Sequence, residues 1–328
     1  MSKKPYAYAI LEGLAQEMRR DPTLSHCYEF AYPIATLPTG EILNLSKEFG
    51  TPRTSGRWGW PIDEAWYAGW ATGMAASGVP VVARIPYQAE VFCVEFIYNQ
   101  IGKMRSMTGG QASMPLVLWI GGADRRIGLA GQHSDVGAEV IYAYMAGLKV
   151  VVPSNAYDAK GLMIAAIRDR DPVVFRDYSG VASGEQPDVP DEAYEVPIGK
   201  AVVRQEGKDL TLVAWAPATV DVAQALPNIA KEGISVEYID PRTLKPLDVD
   251  TLVTSVKKTG RLLVVDHGNY TCGFGSHVIS EVAQKVPGAK FAKIAFPDAP
   301  GPGAKGMMNW MRPDPPKILD AAKKFMKA

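Results

Sequence analysis

Two acidic residues, Asp63 and Glu64, precede a helix-like stretch whose side chains are mostly small. More than half of the residues from 65 to 76 are alanine or glycine. Glycine inside a helix costs about 1 kcal/mol relative to alanine, so we expect another backbone or a flat ligand to approach this helix closely. A carboxyl group at such a place can hold or transfer a ligand proton. An acid at a helix N-terminus also complements the helix dipole, and composition leaves both interpretations open.

A histidine, His133, follows the predicted strand 115–121 within the sequence AGQHSDVGAE. Ser134 or Asp135 can cap the helix predicted over 136–146, which places the imidazole in the loop after the strand. In open α/β sheets, the loops that follow the strands form the ligand site. The alternative is a surface histidine satisfied by a local hydrogen bond, and the spacing does not choose between them.

Other catalytic and binding patterns are absent from the sequence. There is no P-loop, no HExxH and no nucleophile elbow, and CGFGS at 272–276 lacks the third glycine of a dinucleotide fingerprint. The 35 basic and 35 acidic residues balance, so no basic field exists for nucleic acid or anionic lipid. No apolar stretch approaches the roughly 20 residues that span a bilayer, and the cysteines are far apart. We expect a soluble, cytoplasmic protein without nucleic-acid or membrane partners.

Strand-like and helix-like segments alternate along the whole chain. Val, Ile and Leu fill the strand-like segments without polar alternation, which indicates parallel sheets covered on both faces by helices. The predicted strands are 79–85, 115–121, 148–153, 172–178, 209–217, 234–240 and 261–267. The predicted helices of the first half are 5–21, 64–77, 87–106, 136–146 and 157–169, the last with Asp158 as its N-cap.

Two stretches are too rich in proline and glycine for regular structure. The first, 181–197, also contains serine and acidic residues and is typical of a linker. It divides the chain into α/β domains at 1–180 and 198–328. The second, 297–316, precedes a short final helix.

Five sequence blocks occur in the same order as in a known enzyme family. They are PIDEAWYAG, GQHSD, GLKVVVPSNAYDAKGLMIAAIRDRDPVVF, DPRTLKPLD and VVDHGNYTCGFGSHVISEV. Together they resemble the β subunit of 2-oxoacid dehydrogenases, which is the β chain of the thiamine-diphosphate decarboxylase component in pyruvate, branched-chain and acetoin dehydrogenases. The resemblance runs from about Pro5 to the final helix and is most specific at 147–175. It implies a transketolase-like pyrimidine-binding domain, with a mainly parallel sheet, followed by a transketolase C-terminal domain.

The resemblance also implies roles for individual residues. In the family, a β-chain glutamate hydrogen-bonds the pyrimidine ring of the cofactor and thereby activates it, and Glu64 is the matching residue. The active-site histidine of the family matches His133, which implies that His133 orients substrate or moves protons. Tyr87 is the candidate for the aromatic residue that stacks on the pyrimidine.

The motifs that hold the diphosphate through Mg²⁺ are missing, since the chain has no Gly-Asp-Gly and no Asn-Asn. The resemblance therefore implies a separate α subunit that binds the diphosphate and Mg²⁺ in an α₂β₂ tetramer, and it allows a lipoyl-bearing acyltransferase as a further partner. It also implies a structural monovalent cation such as K⁺, held largely through backbone carbonyls of Leu116, Ala166, Ile167, Asp169 and Asp171. The family has asparagine where this chain has Asp171.

The activity implied is that of an oxidoreductase, active only with its α subunit, on a 2-oxoacid, an acyloin or a related carbonyl compound. The segment before Asp63 departs from the family at Arg57, Trp58 and Trp60, which leaves the substrate open. The alternative enzyme is a carboligase or carbon–carbon lyase of transketolase type without a lipoyl partner. A non-catalytic assembly subunit is a third hypothesis, against which the presence of Glu64 and His133 argues.

Overall fold

The computed structural model describes residues 2–28, 34–56, 63–86, 89–121, 137 and 139–328. Contacts between residues divide the chain into two units. The first comprises Met1–Gly122 and Ile141–Ile198, and the second comprises Ala123–Val140 and Gly199–Ala328. The stretch 181–197 is grouped with the first unit by these contacts. The division into domains at 1–180 and 198–328 stays a prediction.

The first unit is built around a sheet of parallel strands. Its strands are β1 (Ser2–Lys3), β2 (Ser25–Tyr28), β3 (Ile34–Thr36), β4 (Ile42–Asn44), β5 (Thr54–Gly56), β6 (Val81–Pro86), β7 (Leu116–Gly121), β8 (Lys149–Val151), β9 (Val173–Asp177) and β10 (Asp188–Val189). Its helices are α1 (Tyr6–Arg20), α2 (Leu45–Phe49), α3 (Glu64–Ala76), α4 (Met104–Met107), α5 (Glu139–Tyr144), whose first two residues are grouped with the second unit, and α6 (Ala156–Arg168). Within this unit the parallel strands follow the order β8-β9-β7-β6-β2-β5.

The central strands are buried because their sequences are continuously apolar. Every residue of β7 and β9 is buried. Helix α6 is buried along nearly its whole length and packs against α1, while α3 packs against β6. The predicted α/β fold with a mainly parallel sheet is therefore confirmed.

The second unit contains a five-stranded sheet in the order β11-β13-β12-β15-β16. The strands of this unit are β11 (Val202–Gln205), β12 (Leu210–Ala214), β13 (Val236–Asp240), β14 (Thr243–Lys245), β15 (Arg261–Asn269) and β16 (Lys290–Phe296). Its helices are α7 (Ala218–Lys231), α8 (Val249–Thr259), α9 (Phe274–Ala283), α10 (Lys305–Met311) and α11 (Pro315–Lys327). The edge strand β11 pairs antiparallel with β13, and the other pairings are parallel. Apolar side chains of α7 and α11 pack on β12, β13 and β15 to form the core.

The helix predicted over 87–106 is replaced by shorter segments. A 3₁₀ turn covers Ala89–Cys93, a π-helix covers Phe96–Ile101, and α4 follows. The backbone N–H of Gly102 donates to the carbonyl of Ile97 at 3.0 Å, five residues back, as in a π-helix. A side chain at Gly102 would lie 2.9 Å from the carbonyl oxygen of Ala146, so the absence of a Cβ permits this backbone approach.

The cap predicted for the helix over 157–169 was wrong by three residues. Asn155 is the N-cap of α6, and its Oδ1 accepts the backbone N–H of Asp158 at 2.9 Å. Asp158 lies in the first turn, where its Oδ2 accepts a hydrogen bond of 2.8 Å from the Asn155 amide. Asn155 therefore satisfies a backbone donor of the first turn, and Asp158 holds the Asn155 amide in the capping position.

The stretch 297–316 also contains regular structure that its composition did not predict. Helix α10 lies within it and buries Met308 and Met311 against Phe296 at the end of β16. Apolar packing therefore outweighs the local proline and glycine content. In the part of the chain that the structure describes, no helix is both long and apolar enough to cross a bilayer.

Candidate active site

Helix α3 begins at the carboxyl edge of the first sheet. A short turn of residues 77–80 joins the end of α3 to the start of β6, and α3 packs against β6. The helix therefore runs back along the strand, and its first residue, Glu64, lies where the parallel strands end. Open α/β sheets bind their ligands at this edge.

Asp63 caps this helix. Its Oδ1 accepts the backbone N–H of Trp66 at 3.1 Å, which is the usual N-cap bond. Glu64 is half-buried, and among the described residues its carboxylate has neither a hydrogen bond nor an ion pair. Because Asp63 performs the capping, the carboxylate of Glu64 is available to a ligand.

The small residues of α3 have two different surroundings. A Cβ at Gly69 would lie 3.1 Å from Cζ of Phe96, whereas a Cβ at Gly73 would meet no described atom within 4 Å. Gly69 thus admits an aromatic side chain of the same chain, rather than the backbone or flat ligand that we expected. Gly73 lies on an exposed part of the helix, where a partner chain could approach.

Three polar or aromatic side chains from neighbouring strands meet at the same edge. The register pairs Arg84 of β6 with Trp119 of β7, and the ring of Trp119 packs against the guanidinium, which lies 4.5 Å from its centroid. Asp177, the last residue of β9, accepts a hydrogen bond of 3.2 Å from Trp119 Nε1 through its Oδ2. The same Oδ2 lies 3.9 Å from Nη2 of Arg84.

Burial governs the charges of this group. Burial raises the pKa of Asp177, and the nearby Arg84 only partly opposes that change. Burial also lowers the pKa of Arg84, although the carboxylate of Asp177 favours its charged form. A separation of 3.9 Å is too long for a hydrogen bond, so the pair compensates its desolvation incompletely.

His26 extends this group on β2. Its ring stacks between Tyr28 and Trp119, with centroid distances of 5.5 and 6.0 Å. Nδ1 lies 2.9 Å from the carbonyl oxygen of Val82, which can only accept, so Nδ1 carries the proton. Burial lowers the pKa of His26 to about 4, and the ring is therefore neutral at neutral pH.

Two of the residues predicted for the site, Tyr87 and His133, lie outside the described residues. After His133, the structure describes Gly137 and then the residues from 139 onward. Of these, the residues up to Val140 belong to the second unit. A Cβ at Gly137 would overlap Gly268, and φ at Gly137 is +87°, so glycine is required there. Glu139 is buried, and its Oε1 accepts a hydrogen bond of 3.1 Å from Trp215 Nε1.

The five positions proposed for a monovalent cation lie at the amino edge of the first sheet, opposite Glu64. They are Leu116 at the start of β7, Ala166 and Ile167 at the end of α6, and Asp169 and Asp171 in the following turn. Lys149 Nζ lies 2.6 Å from Asp169 Oδ2, and Arg105 Nη1 lies 2.6 Å from Asp171 Oδ1. These ion pairs neutralise both carboxylates, so a cation here would depend on the backbone carbonyls.

No sequence motif pointed to Arg84, Trp119 or Asp177 as site residues. The signal was present, because Arg84 interrupts the apolar run VPVVARI and Asp177 ends the run PVVFRDY. Charged residues are almost never fully buried unless they are paired, so a charge within or at the end of an apolar strand needs a partner. Only the strand register, however, brings these positions together.

Comparison with known proteins agrees with this architecture. Residues 44–178 match the family model of the transketolase pyrimidine-binding domain, and residues 199–318 match that of the transketolase C-terminal domain. The chain is 36% identical to the acetoin:2,6-dichlorophenolindophenol oxidoreductase subunit beta of Cupriavidus necator, over 97% of this chain and 96% of that protein. It is 38% identical to the pyruvate dehydrogenase E1 component subunit beta of Acholeplasma laidlawii, over 87% and 86%. A solved structure titled split gene transketolase, inactive beta4 tetramer, shares the fold with a TM-score of 0.78 and 21% identity, over 98% and 97% of the two chains.

The chain therefore combines a transketolase-type pyrimidine-binding domain with a transketolase-type C-terminal domain. It belongs to the family of β subunits of thiamine-diphosphate-dependent oxidoreductases of the 2-oxoacid dehydrogenase type, as the sequence blocks predicted.

Proposed function

We propose that this chain supplies Glu64 and His133 to an active site that thiamine diphosphate and an α subunit complete. The complex oxidises a 2-oxoacid, an acyloin or a related carbonyl compound. The observation that carries the proposal is the half-buried carboxylate of Glu64, which has no partner among the described residues and lies at the ligand-binding edge of the sheet.

The residues of this chain have separate tasks. When bound, thiamine diphosphate supplies an electron sink for breaking a bond at the substrate carbonyl carbon. Glu64 would hydrogen-bond the pyrimidine ring of the bound cofactor and hold a proton there. His133 would orient the substrate and move protons, and Tyr87 would stack on the pyrimidine. The unpartnered Glu64 fits this role because its carboxyl has no competing ion pair in the described part of the chain.

The diphosphate and Mg²⁺ belong to the α subunit in this proposal. Among the described residues, no group of three or more His, Cys, Asp or Glu side chains could hold a metal ion. The relatives at 36% and 38% identity are both named as beta subunits, which supports a heteromeric complex. We propose an α₂β₂ tetramer in the cytoplasm, where the thiols of Cys27, Cys93 and Cys272 would stay reduced.

Reconstitution tests this function. The purified chain alone should show no turnover, and addition of the α subunit, thiamine diphosphate and Mg²⁺ should restore it. Substrates should include 2-oxoacids, acyloins and diketones, with dichlorophenolindophenol as electron acceptor, since one relative is named for that dye. A complex that assembles but turns over none of these compounds would contradict the proposal.

A lipoyl-bearing acyltransferase is the further partner that we propose. Reduction of a lipoyl domain by the reconstituted complex would support it, whereas activity with the dye alone would contradict it. The names of the relatives, which are dehydrogenases and oxidoreductases, do not favour the carboligase alternative.

The monovalent cation remains part of the proposal at the five amino-edge positions. If K⁺ binds to their carbonyl oxygens, replacing it with tetramethylammonium should lower the thermal midpoint of the complex. An unchanged midpoint would show that no cation is bound there.

A further inference from the structure

Arg84 is half-buried, and its guanidinium makes fewer hydrogen bonds to described residues than that of Arg53, which is half-buried as well. Its guanidinium has the ring of Trp119 beside it and Asp177 Oδ2 at 3.9 Å, but no hydrogen bond to any residue that the structure describes. By contrast, Nε and Nη2 of Arg53 donate to backbone carbonyls of Met18, Asp21 and Leu24. A guanidinium has five N–H donors, and buried donors are normally paired.

The position of Arg84 makes these donors available to a ligand. It lies near the carboxyl end of β6, between Tyr28 of β2 and Trp119 of β7, and 21% of its side chain is exposed. Glu64 lies at the same edge of the same sheet. Packing against Trp119 holds the guanidinium in place, while its N–H groups have no hydrogen bond to any described residue.

We propose that Arg84 binds a carboxylate of the substrate, so that the enzyme selects anionic carbonyl compounds over neutral acyloins and diketones. This inference rests on the proposed function and specifies its substrate class. A carboxylate matches the planar fork of a guanidinium in a bidentate pair, which is among the strongest hydrogen-bonded contacts.

The carboxyl group of Asp177 lies beside the guanidinium of Arg84 and influences how strongly Arg84 can bind an anion. Trp119 Nε1 holds its Oδ2 at 3.2 Å, and a Cβ at Gly121 would lie only 2.7 Å from the same oxygen. Gly121 therefore leaves room for Asp177 beside Arg84. Burial raises the pKa of Asp177, which shifts its carboxyl toward the neutral form beside Arg84.

Binding measurements on the reconstituted complex test the proposal. The probes are pyruvate, its neutral analogue pyruvamide, 2-oxoglutarate and acetoin, and the variants are Arg84→Gln and Arg84→Lys. Arg19→Gln is the matched control, because it removes the same charge from Arg19 of α1, which forms an exposed ion pair with Glu48 of α2. We expect Arg84→Gln to weaken carboxylate binding about tenfold or more, Arg84→Lys to weaken it less, and neither to change binding of the neutral probes.

The outcomes separate this inference from its alternatives. Loss of pyruvate binding assigns Arg84 to the carboxylate beside the carbonyl, and loss confined to 2-oxoglutarate assigns it to the distal one. If Arg84→Gln lowers the affinity for charged and neutral probes equally, Arg84 only compensates the charge of Asp177, and the proposal is overturned. Tighter binding of the neutral probes by the wild-type complex would overturn it as well. Carboxylate-selective binding without thiamine-dependent turnover would contradict the proposed function and leave this inference standing.

Discussion

Asp63 Oδ1 accepts the backbone N–H of Trp66 at 3.1 Å, directly beside Glu64. Two adjacent acids at one helix terminus thus have different surroundings. Asp63 is exposed and bonded to the backbone, whereas Glu64 is half-buried and has no side-chain partner among the described residues. Mutations at the two positions should consequently have different effects.

Glu64→Gln should reduce turnover of the reconstituted complex by at least about 100-fold, because an amide cannot exchange the proton that a carboxyl can. Assembly and thermal stability should not change. Asp63→Asn is the control, since asparagine is an equally good N-cap and removes the adjacent charge. Steady-state rates and size-exclusion profiles of the three complexes measure this, and an active Glu64→Gln complex would refute the role of Glu64.

Gly147→Ala should destabilise the chain more than Gly78→Ala. Both glycines have a left-handed backbone, with φ of +84° and +83°, so alanine costs about 1 kcal/mol at either position. A Cβ at Gly147 would also overlap the carbonyl oxygen of Gly102, whereas a Cβ at Gly78 has open space. Moving that backbone should add about 1–3 kcal/mol for Gly147→Ala. Urea unfolding compares the variants, and equal losses would contradict the close approach.

His26 should make the folded state less stable in acid. Its pKa is lowered from the ordinary value of 6.5 to about 4 in the folded chain, so only the unfolded chain binds the proton between these values. The free energy of unfolding should fall by about 3 kcal/mol from this residue as the pH drops from about 6.5 to 4. His26→Phe keeps an aromatic ring and should reduce this decrease in the free energy of unfolding, whereas His277→Gln on the surface should leave it unchanged. Urea titrations across this pH range give the slopes.

Asp266 should act in the opposite direction in the second unit. Burial raises its pKa from 3.8 to about 6, and the charge of Glu139 adds to the change, although Gly268 and Gly275 donate backbone hydrogen bonds to the carboxyl. The folded chain then retains a proton that the unfolded chain releases. This contribution to stability is present at low pH and declines by about 3 kcal/mol as the pH rises from about 4 to 6.

Asp266→Asn removes the titration and should abolish that decline. Its absolute stability can differ, because an amide cannot accept both backbone N–H bonds, so the slope with pH is the measured quantity. Asp209→Asn is a control at a half-buried aspartate that also accepts a backbone N–H, from Ser235 at 2.8 Å. Parallel slopes for the wild type and Asp266→Asn would contradict the raised pKa.

The alternation of apolar strands and helices, and hence the α/β class, was predictable from the sequence. The strand predicted over 115–121 and the helix predicted over 64–77 agree with β7 and α3 to within about one residue. Burial of a continuous apolar segment depends mainly on its own composition, so local patterns were sufficient there. The N-cap of α6 was harder to predict, because asparagine and aspartate are both good N-cap residues. Only the hydrogen bonds between Asn155 and Asp158 show that Asn155 is the cap.

By itself, the sequence determined the class of fold, the family and the presence of Glu64 in a motif typical of that family. Tertiary structure decided that Asp63 and not Glu64 performs the capping, and that Arg84, Trp119 and Asp177 lie side by side. Those three residues are far apart in the chain, and each alone is only a polar or aromatic residue in an apolar strand. Parallel register joins them, because it aligns the carboxyl ends of β6, β7 and β9 at one edge.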